Sequence, residues 1–171
     1  MSTAESPTPL SLTPLSLLDF ATVYRGETPR DAFHRSVDLA QRAEELGYTR
    51  VWYSEHHNMT SIASSSPAVL ISHIAAKTHH IRLGAGGVML PNHSPLVIAE
   101  QYGTLAELYP DRIDLGLGRA PGTDARTVAA LRRSPQNAEN FPEDVLELQG
   151  YLAGRSRIHG VQAVPGADTH V

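Results

Sequence analysis

A Ser or Thr followed at once by Pro stands three times at the head of a helix-like apolar pattern, at Thr28-Pro29, Ser66-Pro67 and Ser94-Pro95. A hydroxyl side chain suits the N-cap, and proline, which has no N–H to lose, suits the first helical position. Each pair follows a short run of strand-forming residues, so the chain reads as alternating strands and helices. Strand one is predicted over Leu15 to Phe20, followed by a helix opened by Thr28-Pro29-Arg30-Asp31 and closed at Gly47. Strand two covers Arg50 to Ser54 and its helix Pro67 to about Lys77. Strand three runs from His80 through Pro91, its helix ends about Tyr109, and strand four covers Arg112 to Leu117. Such alternation implies right-handed βαβ units and a parallel sheet, an α/β fold. Beyond it the pattern predicts helices over Asp124 to Arg133 and Pro142 to Leu152, joined by a polar link, and one short extended segment after Gly154.

With 171 residues the chain is expected to form one domain. Residues 1–13, rich in Ser, Thr and Pro, read as a disordered leader, leaving 14–171 as the folded part. A net charge of -4 with no basic run argues against nucleic acid as a partner. The absence of cysteine excludes disulfides, thiolate catalysis and sulfur-bound metal. Neither a secretory signal nor an apolar stretch of bilayer length is visible, so no membrane partner is expected and the cytoplasm is the expected compartment.

The residues that carry chemistry cluster where strands end. Strand two stops on Glu55-His56-His57-Asn58, and histidine is the side chain most readily set to exchange protons near neutral pH. A solvated loop is the plain alternative. Strand three contains Gly84, Gly86 and Gly87, which weaken a strand unless a bulge, a close packing contact or a flat ligand uses the space. It ends on Asn92-His93. Strand four ends on Arg119, a fixed cation suited to an anionic ligand or to a surface ion pair. No metal is expected, because adjacent histidines diverge and no carboxylate lies at ligand spacing on a shared helix face.

Together, Val51-Trp52-Tyr53-Ser54-Glu55-His56-His57-Asn58, Gly84 to Pro95 and Asp114 to Thr123 resemble the bacterial luciferase-like, flavin-dependent monooxygenases. The resemblance implies a (β/α)8 TIM barrel, of which four strands make the N-terminal half, since a complete barrel needs ~250 residues. It further implies a flavin monooxygenase in which reduced FMN and O2 form a hydroperoxide that attacks a small organic substrate, with the deazaflavin F420 less expected. By the same resemblance His56 is the catalytic residue beside the reactive flavin edge. Gly86-Gly87 matches a non-proline cis bond on which the ring lies, Arg119 matches an arginine near the flavin and its phosphate, Asn92 joins the cofactor site, and His57 and His93 line the substrate pocket. A flavin reductase and a homo- or heterodimeric partner subunit are the implied protein partners. Most of the phosphate site in full-length relatives lies in sequence corresponding to positions after Val171. The alternative is a non-catalytic homologue that binds flavin weakly or pairs with another subunit.

Overall fold

The computed structural model describes residues 13–120, 123–134 and 136–171. Apart from Thr13, the expected leader lies outside the described residues, as do Pro121 and Gly122 of the third motif. The elements run β1 (Ser16–Asp19), α1 (Pro29–Glu45), β2 (Arg50–Tyr53), α2 (Pro67–Ala75), β3 (Arg82–Met89), a 3-10 turn (Leu90–Asn92), α3 (Pro95–Leu108), β4 (Ile113–Gly118), α4 (Ala125–Ala130), α5 (Gln136–Glu139) and α6 (Phe141–Leu152). The four strands form one parallel sheet in the order β1-β2-β3-β4, as the alternating pattern requires.

Period-two alternation divides the sheet into two faces. Val51, Tyr53, Leu83, Ala85 and Ile113 are buried in one core with Ile71, Ile74, Ile98 and Tyr102 of the helices. The other face carries the paired row Leu18, Trp52, Gly84 and Asp114. It is open enough to leave Leu18 51% exposed. Trp52 accounts for one strand glycine, because a Cβ at Gly84 would stand 2.5 Å from the indole. In the same row, Asp114 joins three strands by accepting from Arg50 Nε at 2.5 Å and from an Arg82 guanidinium nitrogen at 2.8 Å. Burial alone would raise the Asp114 pKa, but the two guanidiniums outweigh it and hold the carboxyl below its ordinary range.

The helix starts show what the Ser/Thr-Pro pattern can and cannot do. Thr28 and Asp31 form a full capping box. Ser66 and Ser94 precede their prolines as expected but make no side-chain cap bond. Three residues beyond them stand Val69 and Val97, which cannot return the reciprocal bond that Asp31 makes. Other expectations also change. The polar link contains α5, α4 is shorter than predicted, and the described tail after Gly154 forms turns instead of an extended segment. β3 runs without interruption through its glycines, with a register irregularity between Ala85 and Val88.

That tail packs on α3 at a glycine. A Cβ at Gly103 would press on Gly166 Cα and stand 2.7 Å from its N, and Gly166 has φ +151. Backbone cannot yield there as a flexible side chain could. Gly103→Ala is therefore expected to cost about 1–3 kcal/mol by forcing the helix and tail apart, measured as a lowered urea midpoint at constant slope.

Candidate functional site

The C-terminal ends of the four parallel strands gather their loops at one end of the sheet, the position at which α/β folds place sites. Ser54 holds the first turn of the β2 loop through a 2.8 Å bond with the hydroxyl of Ser64, and His56 N donates to Ser64 O at 3.2 Å. The β1 loop is tied to the same segment by a bridge between Thr22 and Ile62. The His56 ring lies 5.7 Å from that of Phe20, centroid to centroid. Its Nδ1 is buried without a hydrogen-bond partner among the described groups. A buried N–H with no acceptor is the costlier orphan, which favours the tautomer carrying its proton on Nε2.

Glu55 points the other way. It continues the alternation of Val51 and Tyr53, so its side chain enters the helix-covered side, and it is 0% exposed. Oε1 accepts from His57 Nε2 at 2.8 Å and from His93 Nε2 at 2.7 Å, while Oε2 accepts from Met89 N at 2.9 Å. Burial alone would raise the pKa of this carboxyl. The donors from His93, His57 and Met89 outweigh that effect and keep it below the ordinary range. Tyr102, whose buried hydroxyl has no partner among the described groups, is pushed up, first by desolvation and then by the charge of Glu55.

The β4 loop is laced to the β2 loop. Thr123 Oγ1 donates to His57 O at 3.0 Å, and Asn58 Nδ2 donates to Asp124 Oδ2 at 3.2 Å. Asp124 also caps α4 by accepting from the backbone N–H groups of Arg126 and Thr127. Thr127 N–H, then Asn58 and the Thr127 hydroxyl, lower its pKa from 3.8 to about 2. Because the folded value lies below the unfolded one, this contribution is complete above pH ~4 and is lost as pH falls towards 2. Asp124→Asn should therefore flatten the acid limb of the stability curve between those values, as followed by circular dichroism, and leave the neutral limb with little pH dependence.

The anticipated site residues are distributed as follows. The Gly86-Gly87 bond is cis, Gly86 is exposed, and a Cβ on Gly87 would lie 2.9 Å from the β4 backbone at Gly116 and Leu117. Asn92 is buried in the 3-10 turn, and its carbonyl accepts from Arg133 Nε at 3.2 Å. Arg119 is exposed and held against α5 by a 3.0 Å bond from Nε to Ala138 O. His56 and His57 border an open cavity of about 500 Å³ together with Met59 and Thr123, whereas His93 borders a crevice of about 100 Å³ with Glu55 and Tyr102. His57 and His93 thus share a carboxylate, not a cavity. Glu55, Thr123 and Asp124 received no role from sequence reasoning, although the alternation Val51, Tyr53, Glu55 carried the signal for the first. The donor atoms of Glu55, His57 and His93 all lie within 4.8 Å of one another, a spacing also compatible with a metal ion.

A family model for luciferase-like monooxygenases matches residues 15–161. The chain belongs to that family. A luciferase-like monooxygenase of Escherichia coli (strain K12) is 58% identical over 152 residues, covering 88% of this chain and 45% of the relative. Among solved structures, apo-MsnO8 superposes with a TM-score of 0.82 at 40% identity, covering 89% of this chain and 46% of that one. The oxygenating constituent of 3,6-diketocamphane monooxygenase from Pseudomonas putida, in complex with FMN, shares the fold at a TM-score of 0.70 and 20% identity, over 79% of this chain and 38% of its own. The luciferase-like chain described here therefore spans about half the length of the relatives it matches. No described helix is long and apolar enough to cross a membrane.

Proposed function

We propose that this protein provides the ring-binding face of an FMN-dependent monooxygenase that acts with O2 on a small organic substrate in the cytoplasm, with reduced flavin delivered by a reductase. The observation that carries this reading is the exposed backbone at Gly86, on a sheet face shared with Trp52 and Leu18. A flat conjugated ring can approach such a backbone where any side chain would hold it off. His56 fits the same role, since its buried Nδ1 leaves Nε2–H as the donor to a bound ligand. FMN would supply the electrons and the oxygen-activating ring. His56 would donate to it, Gly86 and Gly87 would seat it, and the tie from Thr123 to His57 would hold the rim in place. Asn92 and Arg119 would support the cofactor side, and His57 and His93 the substrate side.

The open sheet face that carries Leu18 and Trp52 favours a second reading, in which the protein binds flavin weakly or completes its site with a partner subunit. Titration of the purified protein with FMN, riboflavin and F420, followed by reductase-coupled oxygen uptake, separates the two. Substrate-dependent turnover with FMN supports the first, and equal affinity for FMN and riboflavin without turnover supports the second. Tighter binding of F420 would move the assignment to the deazaflavin. Loss of all flavin binding up to about 1 mM, an affinity of only ~4 kcal/mol, would remove both.

A further inference from the structure

We propose that Glu55 is a positioning residue: its carboxylate fixes His57 and His93 as Nε2–H tautomers and pins the end of β3 beside the cis Gly86-Gly87 bond.

An ionised carboxylate can only accept hydrogen bonds, so the three nitrogens that meet Glu55 must each bring a proton. Those nitrogens are His57 Nε2 at 2.8 Å, His93 Nε2 at 2.7 Å and Met89 N at 2.9 Å. They come from two strand ends and the turn after β3, and Met89 is two residues beyond Gly87. One fully buried side chain thus sets the height of β3 against β2 where the flavin reading places the ring. With Nε2–H committed to Glu55, the ring nitrogen that His57 and His93 each have left to accept with is Nδ1. His57 borders the open cavity, so Nδ1 is the ring nitrogen it has left to offer a substrate N–H or O–H there.

The same atoms could in principle hold a metal ion, but their separations argue for protons. Ligands about 2.0 Å from a tetrahedral zinc lie about 3.3 Å from one another. The two carboxylate–imidazole separations, 2.8 and 2.7 Å, are those of charge-assisted hydrogen bonds. Glu55 is also already satisfied at both oxygens.

The consequence for turnover rests on the flavin reading, whereas the tautomers do not, and the experiment keeps them apart. Long-range 1H–15N spectra of the full 171-residue chain with 15N-labelled histidine, recorded without flavin, should show His57 and His93 as Nε2–H forms. Glu55→Gln preserves shape but offers one accepting oxygen and one NH2 group, so it must either face the Met89 N–H with a donor or turn its NH2 to the imidazoles. The second placement avoids a donor facing a donor, since the amide oxygen keeps the Met89 N–H and the NH2 hydrogens meet the imidazoles, so at least one of the two histidines should move to the Nδ1–H form, and Glu55→Asp should restore Nε2–H at one of them. In the flavin-loaded enzyme Glu55→Gln should raise the KM for substrate about tenfold with a smaller fall in kcat. Nδ1–H signals for either histidine in the parent protein would overturn the proposal, whether or not Glu55→Gln folds. So would micromolar or tighter binding of zinc chloride that disappears in both His57→Ala and His93→Ala. If the tautomers behave as expected but no flavin binds, the flavin reading fails and the role of Glu55 in the fold stands. If flavin binds and Glu55→Gln leaves both tautomers unchanged, the proposal fails alone.

Discussion

His56→Ala is expected to leave FMN affinity within about threefold of the parent while product formed per NADH consumed falls about 10²-fold, with hydrogen peroxide released in its place. A single well-placed hydrogen-bond donor in a catalytic site is worth about that much. The expectation follows from the side of the loop that His56 occupies. Its neighbours in sequence, Glu55 and His57, are bonded to each other, whereas the His56 ring packs by Phe20 and has an unpartnered buried Nδ1. Parallel assays of oxygen uptake, peroxide and product would decide it. An unchanged product yield would take His56 out of the chemistry and turn attention to His57, the other imidazole on the open cavity.

Gly87→Val should abolish flavin uptake, and its effect on the fold should be larger than a surface glycine would suggest. A Cβ at this position would press on the carbonyl carbon and oxygen of Gly116 and on the carbonyl carbon of Leu117, all at 2.9 Å. Those atoms belong to the neighbouring strand, so relief requires parting β3 from β4, at a cost of about 3 kcal/mol. Gly86→Ala is the milder companion. Its Cβ would lie 3.0 Å from Trp52 Cβ, an atom fixed to the β2 backbone, so β3 must give by a few tenths of an ångström, and the variant should weaken flavin binding with a smaller loss of stability than Gly87→Val. Flavin fluorescence and urea melts of both variants separate ring seating from strand pairing. Undiminished flavin binding in both would return these glycines to a packing role alone.

Much of the architecture could be read before the structure because it depends on local rules. Period-two runs ending in polar clusters, followed by proline at a helix start, leave few alternatives to a parallel βαβ sheet. Thr28 was legible as a cap because Asp31 completes the motif three residues on. Ser66 and Ser94 were not distinguishable from it by the serine and proline alone, and the deciding positions were Val69 and Val97. At the site, sequence reasoning gathered the strand-end histidines but could not tell which of them would turn inward. That depends on Glu55, whose partners His93 and Met89 are brought to it only when β3 lies beside β2. The tie between Asn58 and Asp124 depends in the same way on a contact across 66 positions, beyond any local pattern.

The spatial order of the strands is also their order in the chain. For a chain leaving the ribosome, this means that each new strand finds its partner already made, and none must be inserted between two that have paired. The side chain of Trp52 can settle once Gly84 arrives. The ion pair between Arg50 and Asp114, separated by 64 residues, must wait for β4. Until then two guanidiniums, Arg50 and Arg82, stand side by side on paired positions, so docking of β4 relieves a repulsion as well as extending the sheet.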